Sequence, residues 1–202
     1  MHAKPDLRVQ ISNKIIRSDS VITAVIPLKL KLWTLQHRKL SSSSENRKIV
    51  SSWERTPQNW RNAYRWMVSQ WQTRLGLQLD SAPIWCWHSC NGKLHSPPTV
   101  GTAALLMGDY AYYRDSTIVL EIDVPESFCL LSSYFVWNDA VDDFFENKRI
   151  TIAADRFDNM FDEPLIRHDT DDVQAVIPYI LSEWIADIRD LPDSDADWDI
   201  AV

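Results

Sequence analysis

Tryptophan content constrains the fold of this chain more than any other feature of its sequence. Ten of the 202 residues are tryptophan, and only four are glycine. A tryptophan side chain is rarely buried completely, and its indole N–H needs a hydrogen-bond partner when it is. Ten such side chains therefore require either a core with many polar contacts or a cavity lined by aromatic rings. The scarcity of glycine also excludes the glycine-rich Rossmann and P-loop fingerprints.

Length and composition indicate one ordered domain. Hydrophobic residues make up 45% and charged residues 24% of the chain, which is typical of globular proteins. No apolar run approaches the roughly 18 residues that a membrane span needs, and the first residues do not resemble a signal peptide. Three cysteines (Cys86, Cys90 and Cys129) without a secretory signal indicate reduced thiols. We therefore predict a cytoplasmic protein without membrane contact.

Charge is distributed unevenly along the chain, and this predicts its organisation. Residues 1–40 carry eight basic and two acidic side chains, whereas residues 139–202 carry eighteen acidic and five basic ones. The asymmetry argues against a uniformly basic face for nucleic acid. We predict a basic N-terminal extension at 1–28 that lies outside the core, a single domain at 29–190 and an acidic tail at 191–202.

Hydrophobic periodicity predicts strands mixed with helices. Thr56 and Pro57 are typical of the start of a helix and Gly76 of its end, and the intervening apolar stripe is typical of a core face. A second long helix is predicted to end near residue 148, and strands are predicted at residues 21–26, 28–35, 83–88, 116–124, 173–180 and 184–188, with helix as an open alternative for the last two. The order lacks βαβ regularity. We therefore predict an α+β fold with a mixed or antiparallel sheet and a few helices.

Two groups of side chains could carry chemistry, although ordinary structural roles explain both. The first group contains Cys86, His88, Cys90 and His95. Alternate residues on a rigid strand cannot easily surround one zinc ion, so we expect no metal site. In the second group, Glu121 and Asp123 point outward together, and their repulsion could raise one pKa for acid–base work. We expect these two carboxylates to be solvated instead, like the acidic face predicted for the second helix.

Several tryptophan-centred segments carry a resemblance to a known family. They are Lys31-Leu32-Trp33-Thr34-Leu35-Gln36, residues 63–70, Pro83-Ile84-Trp85-Cys86-Trp87, residues 119–125, Leu130-Leu131-Ser132 and Trp137. In their sequences and in their order along the chain, they resemble an uncharacterised bacterial family catalogued as domain of unknown function 3841, over roughly residues 29–190. The resemblance implies a small, single-domain bacterial or phage protein with no established activity.

A more distant resemblance is carried by three of the predicted strands. Residues 32–34 match the first strand, and residues 83–87 match the Pro-aromatic-aromatic segment, of the ADP-ribosyltransferase fold found in toxins that modify DNA bases. Residues 173–177 match the strand that bears the catalytic glutamate, and residues 184–188 match the strand after it. The chain departs from that pattern, because Gln174 occupies the position of the glutamate. Trp33 or Thr34 likewise stands where the fold has Arg or His.

The distant resemblance implies an ADP-ribosyltransferase-like domain that binds NAD. It predicts a cleft with Gln174 at the catalytic position and with Trp33, Thr34, Gln36, Trp85 and Trp87 as cofactor-binding residues. A neutral glutamine can donate a hydrogen bond but supplies no charge to an oxocarbenium-like state, so the transferase is either active or degenerate. One alternative is a non-catalytic module whose exposed tryptophans bind a protein partner. Another is that the tryptophans belong only to the core.

Overall fold

A central antiparallel sheet organises the protein. The computed structural model describes residues 28–40, 48–90, 93–94, 96–98, 100–108, 110–147, 157–162 and 172–194. The strands are β1 (Lys29–His37), β2 (Lys48–Ile49), β3 (Ile84–Cys90), β4 (Lys93–Leu94), β5 (Thr117–Pro125), β6 (Leu130–Ser133), β7 (Val173–Ile177), β8 (Ile180–Leu181) and β9 (Ile185–Asp190), and the α-helices are α1 (Arg61–Leu75), α2 (Val100–Met107), α3 (Tyr110–Tyr113) and α4 (Tyr134–Asn147). The predicted α+β class is confirmed.

The strand order of the sheet brings distant segments together. It runs β6-β7-β3-β1-β5-β9, with β4 paired to β3, while β2 and β8 form a separate two-stranded sheet. Every pair between described strands is antiparallel. Thus β1, the first described strand, lies in the middle of the sheet. No described helix is long and apolar enough to cross a membrane.

Side-chain alternation gives the sheet two buried faces. On the face that we call the helix face, α1 and α4 cover the sheet with a cluster that includes Met67, Trp71 and Trp137. On the opposite face, aliphatic residues of β1, β3, β5 and β7 pack with Trp184 and with residues of β2 and β8. Some buried indoles find backbone partners, as when Trp71 Nε1 donates to the Phe128 carbonyl at 3.3 Å. The described tryptophans therefore belong to the core or pack against it.

The first long helix departs from its predicted start. Thr56 does not cap it, because the α-helix begins five residues later and no side chain caps its start; the Thr56 hydroxyl instead donates to the Ser52 carbonyl at 3.2 Å. The helix begins at Arg61 after a single 3₁₀ turn, Gln58–Trp60. Its predicted end is confirmed: Gly76 has φ 68°, and its N–H donates to the Gln72 carbonyl at 2.9 Å.

Substitution of Gly76 by alanine should lower the free energy of unfolding by about 1 kcal/mol, since a left-handed conformation costs an L-residue roughly 1–2 kcal/mol. A Cβ atom at this position meets no other atom within 4 Å, so the backbone conformation alone causes the loss. Gly101, an exposed glycine inside α2, is the matched control, and Gly101→Ala should stabilise the protein by up to about 1 kcal/mol. Urea unfolding measures both. Equal stability of Gly76→Ala and the unaltered protein would contradict the prediction.

The predicted domain boundaries fall largely outside the described residues. Residues 1–27 and 195–202 lie there, so the N-terminal extension and the acidic tail stay predictions. Two flanking positions are described. Leu28 is exposed, whereas Leu191, at the start of the predicted tail, is buried against the cluster that contains Trp33.

Candidate functional site

One row of side chains crosses the helix face of the sheet from edge to edge. Its members lie directly opposite one another on neighbouring strands, in the order Asp187, Glu121, Trp33, Trp87, Gln174 and Ser132. Directly paired residues of antiparallel strands point to the same face, with Cβ atoms about 4.5–5.5 Å apart. The row therefore has an aromatic centre and two polar ends. We call it the cross-sheet row.

The aromatic centre brings together two of the predicted cofactor-binding residues. Trp33 is 2% exposed and Trp87 is 5% exposed. The Trp87 ring makes an edge contact with Tyr134, the first residue of α4, with ring centroids 4.8 Å apart. On the other side, the Arg189 guanidinium lies 5.2 Å from the Trp33 ring centroid, in a cation–π contact. Both indoles are therefore held in place by neighbours on other elements.

Gln174 and Ser132 form the polar end of the row on β7 and β6. Both are buried, with exposed fractions of 4% and 0%. Gln174 Nε2 and Ser132 Oγ have no hydrogen-bond partner, although the two residues face each other across the strands. Buried polar side chains almost always have such partners. This pair, which we call the donor pair, is therefore the strongest sign of a missing ligand among the described residues.

A charged cluster forms the other end of the row and corrects the expectation for Glu121. Glu121 is 7% exposed instead of solvated. Its carboxylate pairs with Lys31 on β1 and lies 3.5 Å from Nη2 of Arg189 on β9. Arg189 Nε also donates to Asp187 at 2.6 Å, and this bond, together with one from the Ile188 backbone N–H, lowers the pKa of Asp187. Two cations and two carboxylates balance, so the cluster holds β1, β5 and β9 together without net charge.

Trp85 lies on the same face but not in an open cleft. Its ring centroid is 4.7 Å from that of Trp137 on α4 and 5.3 Å from that of Tyr64 on α1. Burial raises the pKa of Tyr64 to about 12, whereas its polar contact with Trp85 acts in the opposite direction. The aromatic cavity predicted around Trp85 is thus filled by the protein's own rings.

Thr34 and Gln36 do not join the other predicted site residues. They alternate with Trp33 along β1 and therefore face the opposite side of the sheet. Thr34 Oγ1 donates to the Trp85 carbonyl at 2.7 Å, and Gln36 Nε2 donates to Thr34 Oγ1 at 2.9 Å. The predicted convergence of Gln36 with Trp33 and Trp85 is therefore wrong, because residues of odd and even number on one strand cannot share a face.

The three cysteines are all buried and unpaired as disulfides. Burial raises the pKa of Cys129 to about 12, and the nearby Glu126 carboxylate adds to this effect. Burial and the neighbouring Cys129 also raise the pKa of Cys86, which the Thr34 hydroxyl partly offsets. In the described parts of the chain, no three His, Cys, Asp or Glu side chains are grouped as metal ligands would be. His95 of the candidate zinc group lies outside those parts.

Cys86 and Cys129 should therefore be unreactive in the folded protein. Only the thiolate is a good nucleophile, and a free thiol begins to ionise near pH 8. A thiol with a raised pKa stays protonated at that pH. We expect labelling by iodoacetamide to be slow in buffer and rapid in denaturing urea, as read by mass spectrometry. Rapid labelling of Cys86 or Cys129 in buffer would contradict the prediction that both thiols are closed off from solvent.

A separate groove lies between α4 and residues 157–162. It has a volume of about 490 Å³ and is lined by Val136, Asp139, Asp142, Asp143, Phe157 and Asn159. Asp139 and Asp142 are exposed, which agrees with the solvated acidic face predicted for this helix. Three carboxylates disfavour an anionic ligand there. Neither Ser132 nor Gln174 lines the groove.

Sequence reasoning missed three residues that shape the site. In the sequence, Ser132 is only the last residue of the segment Leu130-Leu131-Ser132, and its position opposite Gln174 depends on the β6–β7 register. Trp137 and Tyr134 face the strands from α4, and α4 was predicted without its docking direction. The one signal that could have pointed to Ser132 is the pair of serines that follows Leu130 and Leu131 and ends β6.

These features first define a class: an α+β protein whose antiparallel sheet carries a row of aromatic and polar side chains on its helix face, buried except at the Asp187 end. The chain belongs to the family described as a domain of unknown function (DUF3841), which matches residues 31–183. This membership confirms the first resemblance. Five of the six strands that carry the row lie wholly or largely within the match, and β9 follows it. No curated protein and no solved structure matches the chain.

Proposed function

We propose that the protein is an NAD-binding, ADP-ribosyltransferase-like domain. One observation carries the proposal: the segments that resemble the first strand, the aromatic segment and the catalytic strand of that fold are the neighbouring strands β1, β3 and β7. Their residues Trp33, Trp87 and Gln174 lie directly opposite one another. An accidental sequence resemblance would give no reason for these three residues to lie side by side in the sheet.

The chemistry of the row suits a planar ligand. Aromatic faces with a few fixed polar groups are typical of sites for flat heterocycles. The Trp85 ring packs against Trp137 in a tilted arrangement, so we assign the nicotinamide ring to the region of Trp87 and Gln174. Gln174 can donate a hydrogen bond but cannot stabilise a developing positive charge. The proposal therefore favours NAD binding with weak or no transfer, in a cytoplasmic bacterial or phage protein.

The alternative of a tryptophan-based interaction module has less support. It requires exposed tryptophans as anchors for a partner. Each of the nine described tryptophans is buried or half-buried, and Trp198 lies outside the described residues. The exposed aromatic residues of the described part are Tyr112, Tyr113, Phe135 and Phe145.

Titration with NAD, followed by tryptophan fluorescence, tests the proposal. We expect quenching to saturate below about 1 mM, an affinity of roughly 4 kcal/mol or better. Trp87→Phe should reduce the quenching, because it removes the indole nearest the assigned ring. Trp184→Phe is the matched control, since Trp184 is equally buried but lies on the opposite face. A protein whose fluorescence is unchanged at millimolar NAD, with no heat of binding by calorimetry, would not be an NAD-binding protein.

A further inference from the structure

The donor pair lowers the stability of the folded state, because two buried polar groups lack hydrogen bonds where apolar side chains could stand. Ser132 and Gln174 lie directly opposite on β6 and β7, yet neither Ser132 Oγ nor Gln174 Nε2 has a hydrogen-bond partner. A buried polar group without a hydrogen bond destabilises the folded state, and an apolar residue of similar shape would not. Two such groups at one point of the sheet indicate that their partner arrives with a ligand.

The two atoms also define what that partner must be. An amide nitrogen only donates hydrogen bonds, and a hydroxyl can donate as well, so an oxygen acceptor satisfies both. On the other side of Gln174 lies Trp87, whose ring is fixed against Tyr134. The site therefore suits a carbonyl oxygen that is attached to a flat ring, with the ring beside the indole and the oxygen between the two donors.

Resting on the proposed function, we infer that Ser132 and Gln174 together bind the carboxamide oxygen of the nicotinamide ring and select ligands that carry this acceptor. Gln174 then acts as a binding donor at the position where the transferase resemblance places a catalytic carboxylate. Ser132 donates the second hydrogen bond to the same oxygen. The rival explanation is a structural water that bridges the two side chains, since buried waters often satisfy such groups.

Stability without ligand separates the two explanations. Ser132→Ala and Gln174→Leu each replace an unpartnered group by an apolar one of similar size. If the pair waits for a ligand, both variants should unfold at the same temperature as the unaltered protein or a few degrees higher. If a water bridges the pair, each substitution should lower the unfolding temperature. The double variant Ser69→Ala/Gln70→Leu makes the same chemical changes on α1 and serves as the control for them. A clear loss of stability in both donor-pair variants would overturn the inference.

Ligand binding supplies the second test, with NAD and thionicotinamide adenine dinucleotide as probes. The thioamide sulfur is a much weaker acceptor than the amide oxygen, so the unaltered protein should prefer NAD by about tenfold, as sites built around a hydrogen bond do. Ser132→Ala and Gln174→Leu should bind NAD about tenfold more weakly and lose the preference, whereas the α1 control should keep both. Tight NAD binding that neither substitution changes would overturn this inference and leave the proposed function standing. No NAD binding by the unaltered protein would overturn both.

Discussion

Replacement of Trp137 by alanine is expected to lower the free energy of unfolding by about 4 kcal/mol, as is typical when a large aromatic side chain is removed from a core. Trp137 is 4% exposed and lies at the centre of an aromatic group, with its ring 4.7 Å from Trp85 and in contact with Tyr64 and Trp66. Two of these neighbours are fixed on α1 and one on β3. They cannot close the cavity, so the lost contacts are not replaced.

The same helix provides the control for this prediction. Phe135 lies on α4 two residues before Trp137, and it is 59% exposed. Phe135→Ala should change the free energy of unfolding by about 0.5 kcal/mol or less, as surface substitutions usually do. Urea unfolding followed by circular dichroism avoids any dependence on the removed indole. Equal losses in the two variants would mean that the aromatic group on the helix face is not a packed core.

Gln174→Glu should be the most destabilising change in the cross-sheet row, with a loss of about 3 kcal/mol or more at neutral pH. Gln174 is 4% exposed, and its cross-strand neighbours Trp87 and Ser132 carry no charge. An introduced carboxylate would therefore be buried without a cation on either adjacent strand. The nearest charged member of the row, Glu121, is three strands away, or about 14 Å, and has the same sign.

The loss caused by Gln174→Glu should depend on pH in a defined direction. Burial raises the pKa of the introduced carboxyl in the folded state above its unfolded value of about 4.3. Below about pH 4 the carboxyl is protonated in both states, and its ionisation causes no loss of stability. At higher pH the loss of stability grows, because the carboxyl ionises in the unfolded state first. The loss becomes constant above the pKa of the folded state. Gln174→Leu has no titratable group and serves as the reference at each pH. A pH-independent difference between these variants would contradict the burial of this position.

The same variant bears on the proposed function. If the row binds NAD as proposed, Gln174→Glu restores the carboxylate that the transferase resemblance calls for. Release of nicotinamide from NAD by this variant, and not by Gln174→Leu, would indicate a degenerate transferase site. If the Gln174→Glu protein folds and binds NAD but releases no nicotinamide, β7 does not correspond to the strand that bears the catalytic glutamate.

Local patterns predicted the elements of this fold well, because alternation and helical spacing reflect which side of an element is buried. The alternating residues before Gln36 form β1. The strand predicted at residues 116–124 is β5, whose bounds differ from the prediction by one residue at each end. Gly76 ends α1 because its backbone conformation suits glycine, which is a local property. Thr56 is not the cap, because a 3₁₀ turn, Gln58–Trp60, lies between it and the start of α1.

The candidate site was predicted only in part, since the missing information lies between strands. Trp33, Trp87 and Gln174 were named separately, but only the register between β1, β3 and β7 makes them neighbours. Glu121 was expected in solvent because its strand alone gives no sign of Lys31 and Arg189. Both cations reach it from neighbouring strands, and they lie 90 and 68 residues away in sequence.

The sequence by itself determined the α+β class, the family, the positions of the long strands and helices, and the fact that many tryptophans must be buried. These follow from residue type and from spacing along one element. Only the tertiary structure decided that the aromatic cavity around Trp85 is filled, that Thr34 and Gln36 face away, and that Ser132 meets Gln174 without bonding it. Contacts of this kind depend on strand order and register, where a shift by one residue moves every side chain to the other face.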